Sequence, residues 1–214
     1  MDELFLLVLI WVTPFLFINS VVWYLEKNHR NRDISYKYNL LKSYHEVFIA
    51  RLHSQTKYEI STKNSHILLG EFGASNTITI VTNPHCQPCA LLHDRIEKML
   101  EKQDIMFQVQ YIFVSPSEIK SESSKILISA YQKHPLKIRE IYQEWFSTGK
   151  LNVTDFAQKY NCNPNAPEVL SEYNLHEEWR IANRIVATPT ILVNGYILPP
   201  EYQIEDLRFF ELRE

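Results

Sequence analysis

Cysteine is scarce in this chain of 214 residues, which contains only Cys86, Cys89 and Cys162. Three thiols are too few for the disulfide framework that holds small secreted domains together. The hydrophobic content of 45% instead allows one sizeable core. The odd count indicates one special pair, Cys86 and Cys89. Cys162, in a polar, turn-rich stretch, is predicted to take no part in the chemistry of that pair.

Clustered charge is also missing. The formal net charge is −3, and basic and acidic residues are mixed along the chain. Proteins that bind nucleic acids carry a basic face or stripe. Without such a stripe, the sequence predicts no nucleic-acid partner.

Residues 4–25 contain no charged side chain across 22 positions. A helix of that length spans roughly 30 Å of hydrocarbon, and Pro14 can kink it without ending it. A signal peptide would need a basic start and a cleavage site of the Ala-x-Ala kind. The chain begins Met1-Asp2-Glu3 and no such site follows. We therefore expect residues 1–25 to form a retained, single-pass transmembrane helix that anchors the protein in the cell membrane.

The next segment, residues 26–65, is predicted to be a connector. Apolar residues recur at helical spacing between Leu40 and Leu52, with Asp33 as a candidate N-terminal cap. The pattern predicts one amphipathic helix followed by a loop.

Residues 66–214 have the pattern of an α/β domain. TITIVT at 77–82 and FQVQYIFV at 107–114 predict strands on either side of a helix, a unit with two parallel strands. Residues about 117–186 are helical by pattern, and their aromatic stripes are predicted to be core. Asn194-Gly195 between two apolar runs predicts a hairpin. IEDLRFFEL near the end predicts a last helix.

The cysteine pair lies in VTNPHCQPCA, where the first predicted strand ends and the helix begins. Unpaired amide groups and the dipole at a helix N-terminus stabilise a thiolate, so Cys86 is the candidate exposed nucleophile. Cys89, one turn further, is the candidate resolving thiol. His85, Gln87 and Pro88 are candidate modulators, since Pro88 stiffens the first turn and a protonated or donating His85 would favour the thiolate.

Zinc binding is the competing interpretation of this pair. A zinc site needs four ligands, and the sequence offers no second CxxC pair. A site with His93, four residues after Cys89, has an unusual spacing. His93 is instead predicted to be a surface or boundary residue, and no metal or cofactor is expected.

With its CxxC pair inside a strand–helix–strand unit, the chain resembles the thioredoxin superfamily. Ala187-Thr188-Pro189-Thr190 precedes the hairpin strand, as the cis-proline segment does in that superfamily. The resemblance implies that Pro189 is cis and faces the cysteine pair, and that Thr188 lines the groove for a substrate peptide.

A long helical insertion before the proline is similar to the DsbA-type proteins. HILLG, the cysteine motif, ATPTILVNGYILP and IEDLRFF also resemble the thioredoxin-like domain fused after bacterial vitamin K epoxide reductase homologues. The resemblance implies a thiol–disulfide oxidoreductase that acts on protein thiols and disulfides and has a membrane redox partner of the epoxide reductase kind. It also implies an extracytoplasmic, periplasmic domain, although Lys27, Arg30 and Arg32 alone would place the domain in the cytoplasm.

Two positions depart from thioredoxin. The buried acid six residues before the first cysteine is Ile80 here, and the tryptophan directly before that cysteine is His85. Proton handling at the resolving thiol must therefore differ or be slower. A reductase or isomerase remains an alternative within the class, and a non-catalytic peptide-binding module with a structural disulfide is the alternative outside it.

Overall fold

The computed structural model describes residues 2–71, 73–74, 76–101 and 107–210. The chain forms two compact units, Met1–Phe48 and Ile49–Glu214. Its α-helices in the described residues are α1 (Asp2–Lys42), α2 (His45–His53), α3 (Gln87–Glu101), α4 (Glu118–Lys133), α5 (Ile138–Ser147), α6 (Val153–Lys159) and α7 (Pro167–Ala182). Its strands are β1 (Leu68–Gly70), β2 (Asn76–Thr82), β3 (Phe107–Phe113), β4 (Thr190–Val193) and β5 (Tyr196–Ile197).

The first unit is mainly α1, which continues without a break from the apolar segment through the polar residues after it. Asp33 is not a cap, because it lies inside this helix, where its carboxylate contacts Lys37 Nζ at 2.8 Å. The prediction of a single amphipathic connector helix that starts near Asp33 is therefore wrong about where the helix starts. The chain turns at Ser43 and Tyr44, and α2 begins after that turn. In the described part of the chain, no helix combines the length and the apolarity required to cross a membrane. The predicted anchor at residues 4–25 stays a prediction.

The second unit is built on a five-stranded sheet of order β1-β3-β2-β4-β5. β2 and β3 are parallel, and β1, β4 and β5 each run antiparallel to their neighbours. The predicted strand–helix–strand unit is therefore confirmed, with α3 as its crossover helix. β2 and β3 lie in the middle of the sheet, which explains their nearly continuous burial and their content of branched and aromatic residues.

The predicted hairpin is confirmed between β4 and β5. Asn194 and Gly195 both have positive φ, 49° and 88°, as a two-residue type I′ turn requires. A Cβ on Gly195 would lie 2.5 Å from the carbonyl oxygen of Tyr58. The Tyr58 N–H also donates to the Gly195 carbonyl oxygen at 2.9 Å, which holds the two backbones close together. Residues 56–58 thus border the hairpin. The second unit therefore begins well before residue 66, the residue at which the sequence predicted the start of the α/β domain.

The helical insertion covers α4 to α7, as predicted. Its aromatic stripe is core: Tyr142 and Trp145 are fully buried, and Phe146 and Phe156 nearly so. The segment predicted as the last helix forms a short 3-10 helix over Ile204–Phe209 instead. The final residues of the predicted segment lie outside the described part of the chain. The 3-10 segment begins with a capping box in which Gln203 and Asp206 exchange hydrogen bonds.

A buried carboxylate ties the insertion to the start of the sheet. Glu172 of α7 accepts hydrogen bonds from the backbone N–H of His66 at 2.7 Å and from His176 Nε2 at 3.2 Å. His176 Nδ1 accepts the N–H of Phe113, so its Nε2 carries the proton. Burial alone would raise the pKa of Glu172, but the hydrogen bonds from His176 and His66 outweigh burial and lower that pKa to about 2.

Glu172→Gln is expected to lower the free energy of unfolding at pH 7 by roughly 3 kcal/mol, the equivalent of a pKa that falls from its ordinary value to about 2. A depressed carboxyl pKa stabilises the fold above the ordinary value and loses that effect as the pH falls toward 2. Urea unfolding between pH 7 and pH 2.5 should therefore show a shallower acid dependence in the variant. Glu178→Gln, an exposed position of the same helix, is the control. Equal acid dependence in all three proteins would contradict the role of Glu172.

Candidate active site

The cysteine pair lies at the edge of the sheet where β2 ends and α3 begins. Cys86 is the residue directly before α3, and its carbonyl oxygen accepts the N–H of Ala90 at 3.1 Å. Its own N–H donates to the carbonyl of Asn83 at 3.1 Å, which holds the short loop from β2 in a turn. Pro88 stands in the first turn of α3, where a missing N–H breaks no helical hydrogen bond. The local sequence thus places Cys86 directly before the N-terminus of α3.

The two thiols differ in environment. Both are free, but Cys86 is half-buried, whereas Cys89 is only 2% exposed. Burial raises the pKa of the Cys89 thiol to about 11, although hydrogen bonds with the Asn83 backbone and the Thr82 hydroxyl oppose the rise. An accessible thiol and a buried one, one turn apart, form the pair expected of an attacking and a resolving cysteine.

The cis peptide bond expected before Pro189 is confirmed. Cys86 Sγ donates to the carbonyl oxygen of Thr188 across a distance of 3.6 Å. Thr188 and Pro189 are half-buried, and Ala187 and Val186 before them are exposed. A segment from the far end of the chain therefore lies beside the cysteine pair and offers backbone groups next to the accessible thiol.

His85 contacts both the loop before the cysteines and the helical insertion. Its N–H donates to Asn83 Oδ1 at 2.9 Å, and its Nε2 lies 2.7 Å from Ser123 Oγ. Burial lowers the pKa of His85, and the nearby Lys120 and Lys150 lower it further. The lowered pKa disfavours the protonated imidazole, and the support of the Cys86 thiolate by His85 stays a prediction.

Sequence reasoning missed the contribution of the insertion to this site. Lys150 Nζ donates to Gln87 Oε1 at 3.2 Å, which places a cation beside the residue between the cysteines. Trp145 Nε1 donates to the carbonyl of Pro84 at 3.1 Å, and its ring meets His85 edge to face with centroids 5.9 Å apart. These contacts join residues about 60 positions apart in the chain, a distance at which periodicity carries no signal.

The competing zinc interpretation finds no support in the described residues, where no group of three His, Cys, Asp or Glu side chains could hold a metal ion. His93 is not a surface or boundary residue, since only 2% of it is exposed. Its ring packs against Phe146 with centroids 4.5 Å apart, and Nδ1 lies 2.9 Å from Tyr111 Oη. A histidine that the sequence marks as polar is therefore part of the core.

Cys162 lies apart from the motif. Its N–H donates to the carbonyl of Ala157 at 2.8 Å, and its thiol contacts the carbonyl of Tyr160 at 3.9 Å. Burial raises the pKa of the Cys162 thiol to about 11. A protonated, half-buried thiol of this kind is a poor nucleophile.

Comparison by sequence finds no matching protein-family model and no matching curated protein. Comparison by structure finds close similarity of fold. BdbD from Bacillus subtilis aligns with a TM-score of 0.57 at 16% identity, over 72% of this chain and 94% of that one. ScsC from Proteus mirabilis aligns with a TM-score of 0.56 at 15% identity, over 92% of this chain and 94% of the ScsC chain. The thiol-disulfide exchange protein alpha-DsbA2 from Wolbachia pipientis aligns with a TM-score of 0.55 at 11% identity, over 80% of this chain and 94% of the alpha-DsbA2 chain.

This chain therefore has a thioredoxin-like fold, in which a helical insertion separates the first strands from the strand that follows the cis proline. Identities of 16% and below establish the fold alone.

Proposed function

We propose that this protein is a thiol–disulfide oxidoreductase with Cys86 and Cys89 as its redox pair. The observation that carries the proposal is the position of Cys86 Sγ, at the start of α3 and 3.6 Å from the Thr188 carbonyl beside a cis proline. A protein of the same fold, alpha-DsbA2 from Wolbachia pipientis, is a thiol-disulfide exchange protein, which supports the same class of reaction here.

In the oxidising direction, a substrate thiolate attacks Cys86 Sγ of the Cys86–Cys89 disulfide. A mixed disulfide forms, the bond between the two enzyme sulfurs breaks, and Cys89 leaves with the electron pair and takes up a proton. A second thiolate of the substrate then attacks the substrate sulfur that is bonded to Cys86. The substrate disulfide forms, and Cys86 is released as a thiolate. The substrate dithiol is oxidised and the enzyme pair is reduced; a reductase runs the same steps in reverse.

The substrates in this proposal are protein thiols and disulfides. The Thr188 backbone beside Cys86 offers hydrogen-bonding groups to an extended peptide, as the edge of a sheet does. Gln87, held by Lys150, and Pro88 shape the surface between the two thiols. The lowered pKa of His85 disfavours its cationic form here.

The cellular setting belongs to the proposal as well. Residues 4–25 would anchor the chain in the cell membrane, with the second unit on the extracytoplasmic side, where disulfides persist. A membrane oxidoreductase similar to the vitamin K epoxide reductases would reoxidise the pair. Protease protection of the chain in membrane vesicles of known orientation would test the side on which the second unit lies.

Cys89→Ser tests the assignment of the two thiols. Without the resolving thiol, Cys86 should remain linked to substrate proteins, and these mixed disulfides should be visible on non-reducing gels and disappear with reductant. Cys162→Ser is the matched control and should accumulate none. If Cys89→Ser accumulates no more than the wild-type protein, Cys89 is not the resolving residue.

A further inference from the structure

A surface cavity of about 430 Å³ lies between the residues that follow β3, helix α4 and helix α7. β2 and β3 are parallel, so both strands end at the same edge of the sheet. The N–H of Val114 donates to the carbonyl of Thr82 at 2.9 Å, which holds the two strand ends side by side. The cavity therefore lies at the edge of the sheet that carries the cysteine pair.

The segment before the cis proline connects the cavity to Cys86. Arg180, which lines the cavity, donates from Nη1 to the carbonyl of Ile185 at 3.5 Å. Three residues later, the carbonyl of Thr188 lies 3.6 Å from Cys86 Sγ. Three residues of extended chain span at most about 11 Å. A peptide that lies along this segment therefore reaches the cavity within about three residues of its reacting sulfur.

The charges that line the cavity do not cancel. Glu177 Oε2 accepts from Arg180 Nε at 3.0 Å and from Arg180 Nη2 at 2.6 Å, and Glu177 Oε1 accepts the N–H of Ser115 at 3.4 Å. This ion pair leaves the half-buried Lys125, whose Nζ lies 5.2 Å from the ring centroid of Tyr173. No described carboxylate pairs with Lys125, so its ammonium group retains its donors for an anion.

Two further lysines extend this positive charge toward the cysteines. Lys150 Nζ donates to Gln87 Oε1 at 3.2 Å, and Lys120 and Lys150 both act on the ring of His85. Glu122, an exposed carboxylate of α4, is two positions from Lys120 and so faces away from it. The surface beside the reactive thiol is therefore basic, although the whole chain has a net charge of −3.

We propose that this cavity is a substrate subsite in which Lys125 binds the carboxylate of a glutamate or aspartate in the polypeptide bound beside Cys86. The inference rests on the proposed function and adds the substrate class to it. The favoured substrates are protein thiols with an acidic residue about three positions from the reacting cysteine, the separation that the extended segment sets.

The preference is measured by the rate at which the full, oxidised chain converts dithiol peptides to their disulfides at low ionic strength. Three peptides of otherwise identical sequence carry Glu, Gln or Lys three residues outside each cysteine. Each rate is divided by the rate of the same peptide with hydroxyethyl disulfide, a neutral reagent, so that differences in thiol acidity cancel. We expect the Glu peptide to react about fivefold faster than the Gln peptide, the upper range for an ion pair in contact with solvent. The Lys peptide should be the slowest.

Lys125→Gln removes the cation and keeps a polar side chain, so the ratio of the Glu rate to the Gln rate should fall to about one, as no ion pair remains. Lys137→Gln is the matched control. It makes the same change in net charge at an exposed lysine of the helical insertion, beside Glu97 and Glu101 in the second half of α3. The ratio should stay at the wild-type value in this variant.

Glu177→Gln tests the same subsite in the opposite direction. The variant removes the charge that neutralises Arg180 and keeps an oxygen that can accept the N–H of Ser115. The ratio of the Glu rate to the Gln rate should therefore rise above that of wild type, a change that loss of structure does not produce.

Thermal unfolding establishes that each variant folds, and if Lys125→Gln does not, the direction of change in Glu177→Gln decides. A wild-type ratio of one would overturn the subsite and leave the oxidoreductase proposal intact. An equal fall in Lys125→Gln and Lys137→Gln would also overturn it, because the preference would then follow total charge. If the wild-type protein oxidises none of the peptides, the proposed function fails and the subsite with it.

Discussion

Cys86→Ser is expected to abolish disulfide transfer. The serine hydroxyl is not ionised at pH 7 and cannot form a disulfide, so the substrate sulfur has no partner in the first step. The loss should be on the order of 10³-fold or more, as for other enzymes that lose a covalent nucleophile. Insulin reduction with dithiothreitol, followed by turbidity, measures it.

Cys162→Ala is the control for this prediction, because it removes the third thiol, which lies outside the Cys86–Cys89 pair, and should retain the full rate. Rapid alkylation of one thiol in the mildly reduced wild-type protein should disappear in Cys86→Ser and persist in Cys162→Ala. Substantial transfer by Cys86→Ser would mean that another group is the nucleophile. Slow, uniform labelling of the wild-type thiols would favour the non-catalytic binding module instead.

Trp145→Ala is expected to have the largest effect on stability. The side chain is fully buried between the loop before the cysteines and Phe156, whose ring centroid lies 4.9 Å from its own. Truncation of a buried aromatic residue to alanine costs about 3–5 kcal/mol. It also leaves the Pro84 carbonyl without the indole N–H, so the loop that presents Cys86 loses its support from α5.

Trp179 offers a matched comparison, since it is a buried tryptophan whose Nε1 donates to the carbonyl of Glu59 at 2.8 Å. Trp145→Phe and Trp179→Phe should each lose about 1 kcal/mol in urea unfolding, the usual value of one hydrogen bond. Only Trp145→Phe should also change the alkylation rate of Cys86. The same alkylation rate in both variants would show that Trp145 does not position the loop.

Local patterns in the sequence were sufficient for much of the fold. Alternating and continuous apolar runs predicted β2 and β3, the Asn194-Gly195 dipeptide predicted the hairpin, and helical spacing predicted that the aromatic residues of α5 are core. The position of the cysteine pair and the cis bond at Pro189 followed from two short motifs and the resemblance they carry.

Contacts between distant residues were not predictable in this way. Helical spacing places His93 on the face of Cys89, but only the arrival of Phe146 and Tyr111 from other elements makes that face a closed core. His85 was predicted from its place beside Cys86 alone, whereas Lys120 and Lys150, which lower its pKa, reach it from the insertion. Spacing along one helix or strand does not specify such partners.

The strip of chain at residues 56–58 has a consequence for association between molecules. β5 is the last strand of the sheet, and its outer side bonds to this strip through Ile197 N–H to the Thr56 carbonyl at 3.1 Å and through a bridge between Lys57 and Tyr196. A strand edge with unpaired amides recruits other polypeptides and promotes aggregation. Here the Ile197 amide is already occupied, so this border of the sheet does not offer that amide to another extended chain.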